Sequence, residues 1–299
     1  MVIGMKVLVA LDFGDSSLEA LRQGRALAHG LNGTLAAVHV LPASHDLASL
    51  FPGRSLSGVS DAVEEERSVR HALEEHARSK LGLELTEVYV ERGAAYAEIL
   101  RRADSLGADY ITVGSRGRTG LARVVLGSVA ERVVRHAHCS VLIARPQQRS
   151  GVVLVATDLS DPSRPAIAAG AAAAKRTGAR LVVASALEWG GFTGAPLIGI
   201  LGSLPALPPV EVQAQVRDAL LTSLQQAMAS AGAEGEARVL DGTPAHAIVA
   251  AAEELGAELV VVGTHGHTGL ARLALGSVAE SVVASAHCSV LAVRLDART

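Results

Sequence analysis

Two glycine-rich stretches carry the residue types best suited to chemistry in this chain. Val113-Gly114-Ser115-Arg116-Gly117 runs on to Leu126-Gly127-Ser128, and Val262-Gly263-Thr264-His265-Gly266 runs on to Leu275-Gly276-Ser277. Each copy reads Gly, two residues, Gly, nine residues, Gly-Ser, after an apolar strand-like run and before a helix-like one. The pattern suits anion binding. Glycine lets the backbone turn and come close to a ligand, and a helix start offers unpaired N–H groups at the positive end of a dipole. It is not a Walker loop, since no Lys-Ser/Thr follows the glycines. Nor is it the dinucleotide fingerprint, which would stand after the first strand, where Asp12-Phe13-Gly14 is found; the spacing Gly114-x-x-Gly117-x-x-Gly120 also differs.

The side chains around these loops extend the argument. Arg116, Arg118 and Arg123 offer charge-assisted contacts to phosphates, against the plainer reading of solvated loop cations. Their counterparts are His265, His267 and Arg272, in a loop that also repeats Gly120 as Gly269. Two histidines two residues apart suggest metal ligands, but no third ligand is evident, and a place beside phosphate fits better. Such a site would bind more tightly in acid, where imidazole is cationic. Asp12 and Asp158 end the first strand of each half and are read as ligand contacts, with general base or Mg²⁺ ligand as alternatives. The sequence supplies no positioned second carboxylate, phosphate-gripping lysine or water-activating dyad. Efficient hydrolysis is not expected.

The elements that must position these residues alternate. Lys6 to Leu11 reads as a strand, Asp15 to Leu31 as a helix closed by Asn32-Gly33, and Thr34 to Leu41 as a second strand ended by Pro42. A charged helix is expected from about Asp61 to Leu81, a strand over Glu84 to Val90, a helix over Ala94 to Ser105, and a strand over Tyr110 to Val113. After the glycine loop come a helix, Ser128 to His136, and a strand, Ser140 to Ala144. The order then repeats: a strand from Val152 to Thr157, a helix opened by Asp161-Pro162, a strand from Leu181 to Ala186, a helix from Thr243-Pro244 and a strand from Leu259 to Val262. Val113 to Arg145 and Val262 to Arg294 align without a gap and are about two thirds identical, which marks duplication of a whole domain. Domains are expected over 1–146 and 151–296, with 147–150 as linker. Trp189 to Val210, rich in Gly, Pro and apolar residues, reads as a surface loop, a cap on the second pocket or a contact with another subunit.

Strands alternating with helices imply an α/β fold with a parallel sheet and right-handed crossovers. Five strands per half fit a doubly wound sheet in the order 3-2-1-4-5 with helices on both faces. Its switch point lies between strands one and four, where such sheets bind ligands at their carboxyl ends. Asp12 and the Gly114 loop meet there in the first half, Asp158 and the Gly263 loop in the second. Acid and anion cradle therefore converge, which points to a nucleotide.

Composition narrows the field. In 299 residues the net charge is −3 and aromatics make up 2%, which argues against nucleic-acid binding by phosphate neutralisation or base stacking. The two cysteines, Cys139 and Cys288, are too few for a disulfide scaffold or zinc cluster and read as half-buried thiols. No apolar run is long enough for a membrane span, and the first residues read as a strand, so a soluble, cytoplasmic protein is expected.

At these residues the chain resembles the universal stress proteins, in tandem, over both halves almost end to end. The likeness is carried by Asp12 and Asp158, by both glycine loops, and by Gly120-Leu121-Ala122-Arg123 with Gly127-Ser128-Val129-Ala130-Glu131 and Gly269-Leu270-Ala271-Arg272 with Gly276-Ser277-Val278-Ala279-Glu280. The spacing resembles the ATP-binding branch of that family. The resemblance implies two flavodoxin-like (adenine nucleotide alpha hydrolase-like) domains with one ATP pocket each; ADP and AMP are alternatives, with or without Mg. It implies that the strand-one Asp lies near ribose and adenine and that the main chain at Val40 faces the base. Val113 and Gly114 end the strand beside it, and N–H groups around Gly117, Gly127 and Ser128 hold phosphates. Carried into the second half, these positions are Asp158, Ala186, Val262, Gly263, Gly266, Gly276 and Ser277. Both halves end in Ala-His-Cys-Ser-Val where the family commonly has Pro-Cys-Pro-Val, which bears on strand five and not on the pocket. The family's habit of pairing through last strands implies an intramolecular pseudo-dimer of Ser140 to Ala144 with Ser289 to Val293, with a homodimer as a further step.

Three functions follow as expectations: a nucleotide-dependent regulatory module whose ATP occupancy changes loop order and affinity for an unknown protein partner, a slow ATPase or phosphotransferase, and an interaction scaffold with vestigial pockets. The first is the preferred reading.

Overall fold

Short apolar runs rich in Val, Ile and Leu become strands buried on both faces, and the amphipathic segments between them become helices that cover those faces. The computed structural model describes residues 4–42, 58–116, 126–146, 151–189, 208–264 and 275–294, with 58–62 by backbone alone. The chain divides into two compact units, the first running to Pro146 and the second from Gln147 to Ala297.

In the first unit the order is β1 (Lys6–Ala10), α1 (Asp15–Gly30), β2 (Thr34–Leu41), α2 (Gly58–Leu81), β3 (Val88–Arg92), α3 (Ala95–Leu106), β4 (Tyr110–Gly114), α4 (Ser128–His136) and β5 (Ser140–Ala144). Its strands are parallel and lie in the order β3-β2-β1-β4-β5. The core centres on β1, where Val7, Leu8 and Val9 are all buried.

The second unit repeats this plan: β6 (Val152–Ala156), α5 (Arg164–Thr177), β7 (Arg180–Leu187), α6 (Val210–Ser230), β8 (Glu236–Asp241), α7 (Pro244–Glu254), β9 (Leu259–Gly263), α8 (Ser277–Ser285) and β10 (Ser289–Val293). Its strands are also parallel, in the order β8-β7-β6-β9-β10. The expected 3-2-1-4-5 order thus stands in each unit.

Several bounds move by one to three residues from the sequence reading, and two differences have a clear local cause. β3 begins at Val88 and not at Glu84. α2 ends on Gly82 in the left-handed region (φ 62°), Leu83 donates back to the Ala77 carbonyl, and the ladder with β2 starts only at the Ala37–Val88 pair. Asp161-Pro162 opens a 3₁₀ turn, Asp161–Ser163, before α5 takes over at Arg164. No helix among the described residues is long and apolar enough to cross a membrane.

Candidate functional site

Side-chain alternation decides which residues reach the switch point. A Cβ placed on Gly24 of α1 would stand 2.7 Å from Val9 Cγ2 and 3.3 Å from Thr112 Oγ1, so Val9 and Thr112 face α1. Ala37 pairs in register with Val9 and shares that face. Val40 and Val113, odd steps from these, face the other way, toward the side of α3 and α4. Gly114 returns to the α1 face, against Ser16. The same alternation places Ala186 and Val262 of the second unit on the α7–α8 side.

In the second unit a cavity of about 300 Å³ opens on that side at the carboxyl ends of β6, β7 and β9. Asp158, Ala186, Val262, Gly263, Gly276 and Ser277 all line it. These are all the site residues expected from sequence in this half that fall among the described residues. Sequence reasoning missed Thr157, Ser163, Ser185, Pro244, Ile248, Val278 and Ala279 in the same lining. Pro244 and Ile248 lie four apart at the start of α7, and that spacing was a usable signal.

One end of the cavity is built by the start of α8. Gly276 is its extended N-cap (φ −63°, ψ 144°), with no side-chain cap, and its carbonyl accepts the Glu280 N–H at 2.9 Å. The Gly276 N–H is spent on the Thr264 carbonyl at 2.8 Å. Helix geometry therefore leaves the first-turn N–H groups of Ser277, Val278 and Ala279 without intrahelical partners. The first unit repeats the device: Gly127 (φ −66°, ψ 143°) caps α4 and donates to the Ser115 carbonyl at 2.8 Å. Of the Gly N–H groups expected to hold phosphate, those of Gly127 and Gly276 are thus engaged, and the open donors of these helix starts fall on Ser128 to Ala130 and Ser277 to Ala279.

The strand-one aspartates sit in tight turns. Asp12 Oδ1 accepts the Gly14 N–H at 3.0 Å, and Asp158 Oδ1 accepts the Ser160 N–H at 3.0 Å. The residue between is left-handed in both, Phe13 at φ 65° and Leu159 at φ 63°, an uncommon conformation outside glycine. Phe13 also packs edge-on to His39 at 5.2 Å and against His76 of α2 at 5.7 Å. The His39 Nδ1 lies 2.6 Å from the Leu11 carbonyl, and since that oxygen only accepts, Nδ1 carries the proton. His39 shares the face of Ala37, so this aromatic group backs the Asp12 turn from behind. Sequence reasoning missed it.

In the first unit Asp12 follows β1, whose pairing continues through the Leu11 N–H to the Val38 carbonyl at 2.9 Å. Val113 is buried, Gly114 closes β4, and the Arg116 N–H donates to Ser16 Oγ at 3.1 Å. Gly117, Arg118, Gly120 and Arg123 lie outside the described residues, as do His265, Gly266, His267, Gly269 and Arg272. Among the described residues no group of three or more His, Cys, Asp or Glu side chains is placed to hold a metal ion.

A doubly wound α/β unit, present twice and with a crevice at the switch point of the second copy, is the class that fold and site define. The universal stress protein family model matches residues 5–145 and again 150–294, and the chain belongs to that family. A universal stress protein of Methanocaldococcus jannaschii is 34% identical over 144 residues, covering 48% of this chain and 84% of its own length. One of Bacillus subtilis is 35% identical over 148 residues, 47% of this chain and 98% of that protein. A solved universal stress protein from Archaeoglobus fulgidus has the same fold, with a TM-score of 0.64 at 21% identity over 97% of this chain and 98% of that one.

Proposed function

We propose that the chain binds an adenine nucleotide, ATP foremost, in one pocket per unit and acts as a nucleotide-dependent regulatory module. The observation that carries this reading is the convergence on one cavity of Asp158, the end of β7 and the uncapped start of α8. The donor set fits the ligand: backbone N–H groups at a helix N-terminus complement phosphate, and a carboxylate complements ribose hydroxyls. In this reading Asp158 accepts from the ribose and the main chain at Ala186 faces the base. The N–H groups of Ser277, Val278 and Ala279 take phosphate oxygens. Asp12, Val40 and Ser128 to Ala130 do the same in the first unit. The bound nucleotide supplies polyanionic charge, and its occupancy governs affinity for a protein partner.

Mass spectrometry of small molecules released from the denatured protein, followed by calorimetric titration with ATP, tests the proposal. Adenine nucleotide in the extract or saturable ATP binding is expected. A chain that releases no nucleotide and binds none on titration is not a nucleotide module.

A further inference from the structure

The two strand-one turns share one backbone and differ in what holds the aspartate. Gly14 (φ −88°, ψ 156°) and Ser160 (φ −67°, ψ 153°) have nearly the same extended conformation. In the first unit Asp12 Oδ1 accepts the Gly14 N–H, and Gly14 has no side chain to add to it. In the second, Asp158 Oδ1 accepts both the Ser160 N–H at 3.0 Å and the Ser160 hydroxyl at 2.6 Å. The second bond is short and charge-assisted.

Ser160 is itself held. It is 7% exposed, and its carbonyl accepts the Ser163 hydroxyl at 2.9 Å. Ser163 Oγ lies 2.8 Å from Thr157 Oγ1; with its one proton given to Ser160, Ser163 is the acceptor there and Thr157 the donor. Thr157 Oγ1 in turn accepts the Leu159 N–H at 3.0 Å, which ties down the left-handed residue. The counterpart of Thr157 in the first unit is Leu11, which has no hydroxyl. There Ser17 accepts the Asp12 N–H at 3.2 Å and donates to the Gly14 carbonyl at 2.9 Å, without reaching the carboxylate.

We infer that Ser160 is a positioning residue that fixes the Asp158 carboxylate for a vicinal diol, so that the second pocket binds ribonucleotides more tightly than the first. The inference rests on the nucleotide reading above. A carboxylate already held in one rotamer loses less freedom when a ligand arrives, and the gain appears as affinity. Ser160 does not line the cavity; Asp158 does. The effect therefore passes through the carboxylate and requires ribose hydroxyls.

Photolabelling of the full chain with 8-azido-ATP, with peptide mapping of the label, reads each pocket separately, and competition by ATP or 2′,3′-dideoxy-ATP ranks the affinities. In the unaltered chain, ATP is expected to protect the second pocket at lower concentration than the first. Ser160→Gly copies the turn with which the first unit folds. It should raise the ATP needed at the second pocket about tenfold, the scale of one hydrogen bond to a charged group. Competition by 2′,3′-dideoxy-ATP should not move. Ser160→Thr keeps the hydroxyl and should keep the affinity, while Gly14→Ser should tighten ATP binding at the first pocket. Unchanged ATP competition in Ser160→Gly overturns the inference, and so does an equal shift for ATP and its dideoxy analogue. If the unaltered chain shows no ATP-competable labelling at either pocket, the nucleotide reading itself falls and takes this inference with it.

Discussion

Ser16 lies so close to Gly114 that a Cβ on the glycine would stand 2.6 Å from the serine Oγ and 2.7 Å from its carbonyl carbon and oxygen. The start of α1 is thereby locked onto the end of β4, directly after the Asp12 turn. Gly263 is less tightly met, with Ser163 Cα at 3.0 Å and Pro162 O at 3.4 Å. The glycine that opens each loop thus has a packing reason independent of any ligand.

Gly114→Ala should accordingly destabilise the first unit by about 2 kcal/mol, since backbone must move to admit the methyl group. Gly263→Ala should cost about 1 kcal/mol or less, because a shift of a few tenths of an ångström relieves it. Denaturant unfolding of the two variants measures the difference; equal losses would contradict the packing asymmetry.

Thr112 is wholly buried in β4, and its hydroxyl has no hydrogen-bond partner among the described residues. It pairs in register with Val9, as Val261 pairs with Val155 in the second unit. The protein therefore already contains the apolar alternative at the equivalent position. Thr112→Val is expected to stabilise the first unit by about 1 kcal/mol by removing an unsatisfied buried donor. A lower midpoint of unfolding would show that the hydroxyl does find a partner.

Most of the fold was legible because two periodicities and a duplication agreed. Apolar runs closed by Asp12 and Asp158 placed the first strands, and the strand order followed from the alternation of strands with helices. Less was legible where local pattern carried no edge. Glu84 to Val90 alternates like a strand throughout, but its first residues bring the chain back from α2, a fact set by the helix end and not by hydropathy. α6 and β8 were not bounded at all: exposed Val210 and Val212 open α6, so its apolar residues do not fall on one clean face. Within the cavity lining, Asp158, Val262, Gly263, Gly276 and Ser277 follow from glycine spacing and topology, whereas Ala186 was reached only through the family resemblance. Thr157, Ser163 and Ser185 were not, because small hydroxyl residues have no distinctive spacing. The His39–Phe13–His76 contact joins three elements far apart in sequence and leaves no local trace.

Tyr89 on β3, the edge strand of the first unit's sheet, donates its hydroxyl to Glu87 Oε1 at 2.5 Å. That bond, with desolvation and the nearby carboxylate charge, raises the phenol pKa; the cations Arg102 and Arg70 oppose it in part. Because the folded value lies above the unfolded one, the stabilisation is complete below the ordinary phenol range, about pH 10, and is lost as pH rises through the folded value. Ultraviolet titration of the three tyrosines should show one ionising late. Glu87→Gln should bring that ionisation earlier; an unchanged titration would rule out Glu87 as its cause.

The sharpest test of the anion end concerns one N–H group. Ser277 is the first residue of α8, and Gly276 before it is extended, a conformation that accepts a following proline. Proline is favoured at the first helical position, where its missing N–H breaks no helical bond. Ser277→Pro therefore removes one open donor and the hydroxyl while the helix stays intact, and Ser277→Ala removes the hydroxyl alone. If phosphate sits at this helix start, ATP affinity at the second pocket should fall about tenfold further in Ser277→Pro than in Ser277→Ala. Adenosine, which has no phosphate, should bind the two variants equally. Circular dichroism confirms that the helix persists. Equal ATP affinity in the two variants would move the phosphates away from this N-terminus.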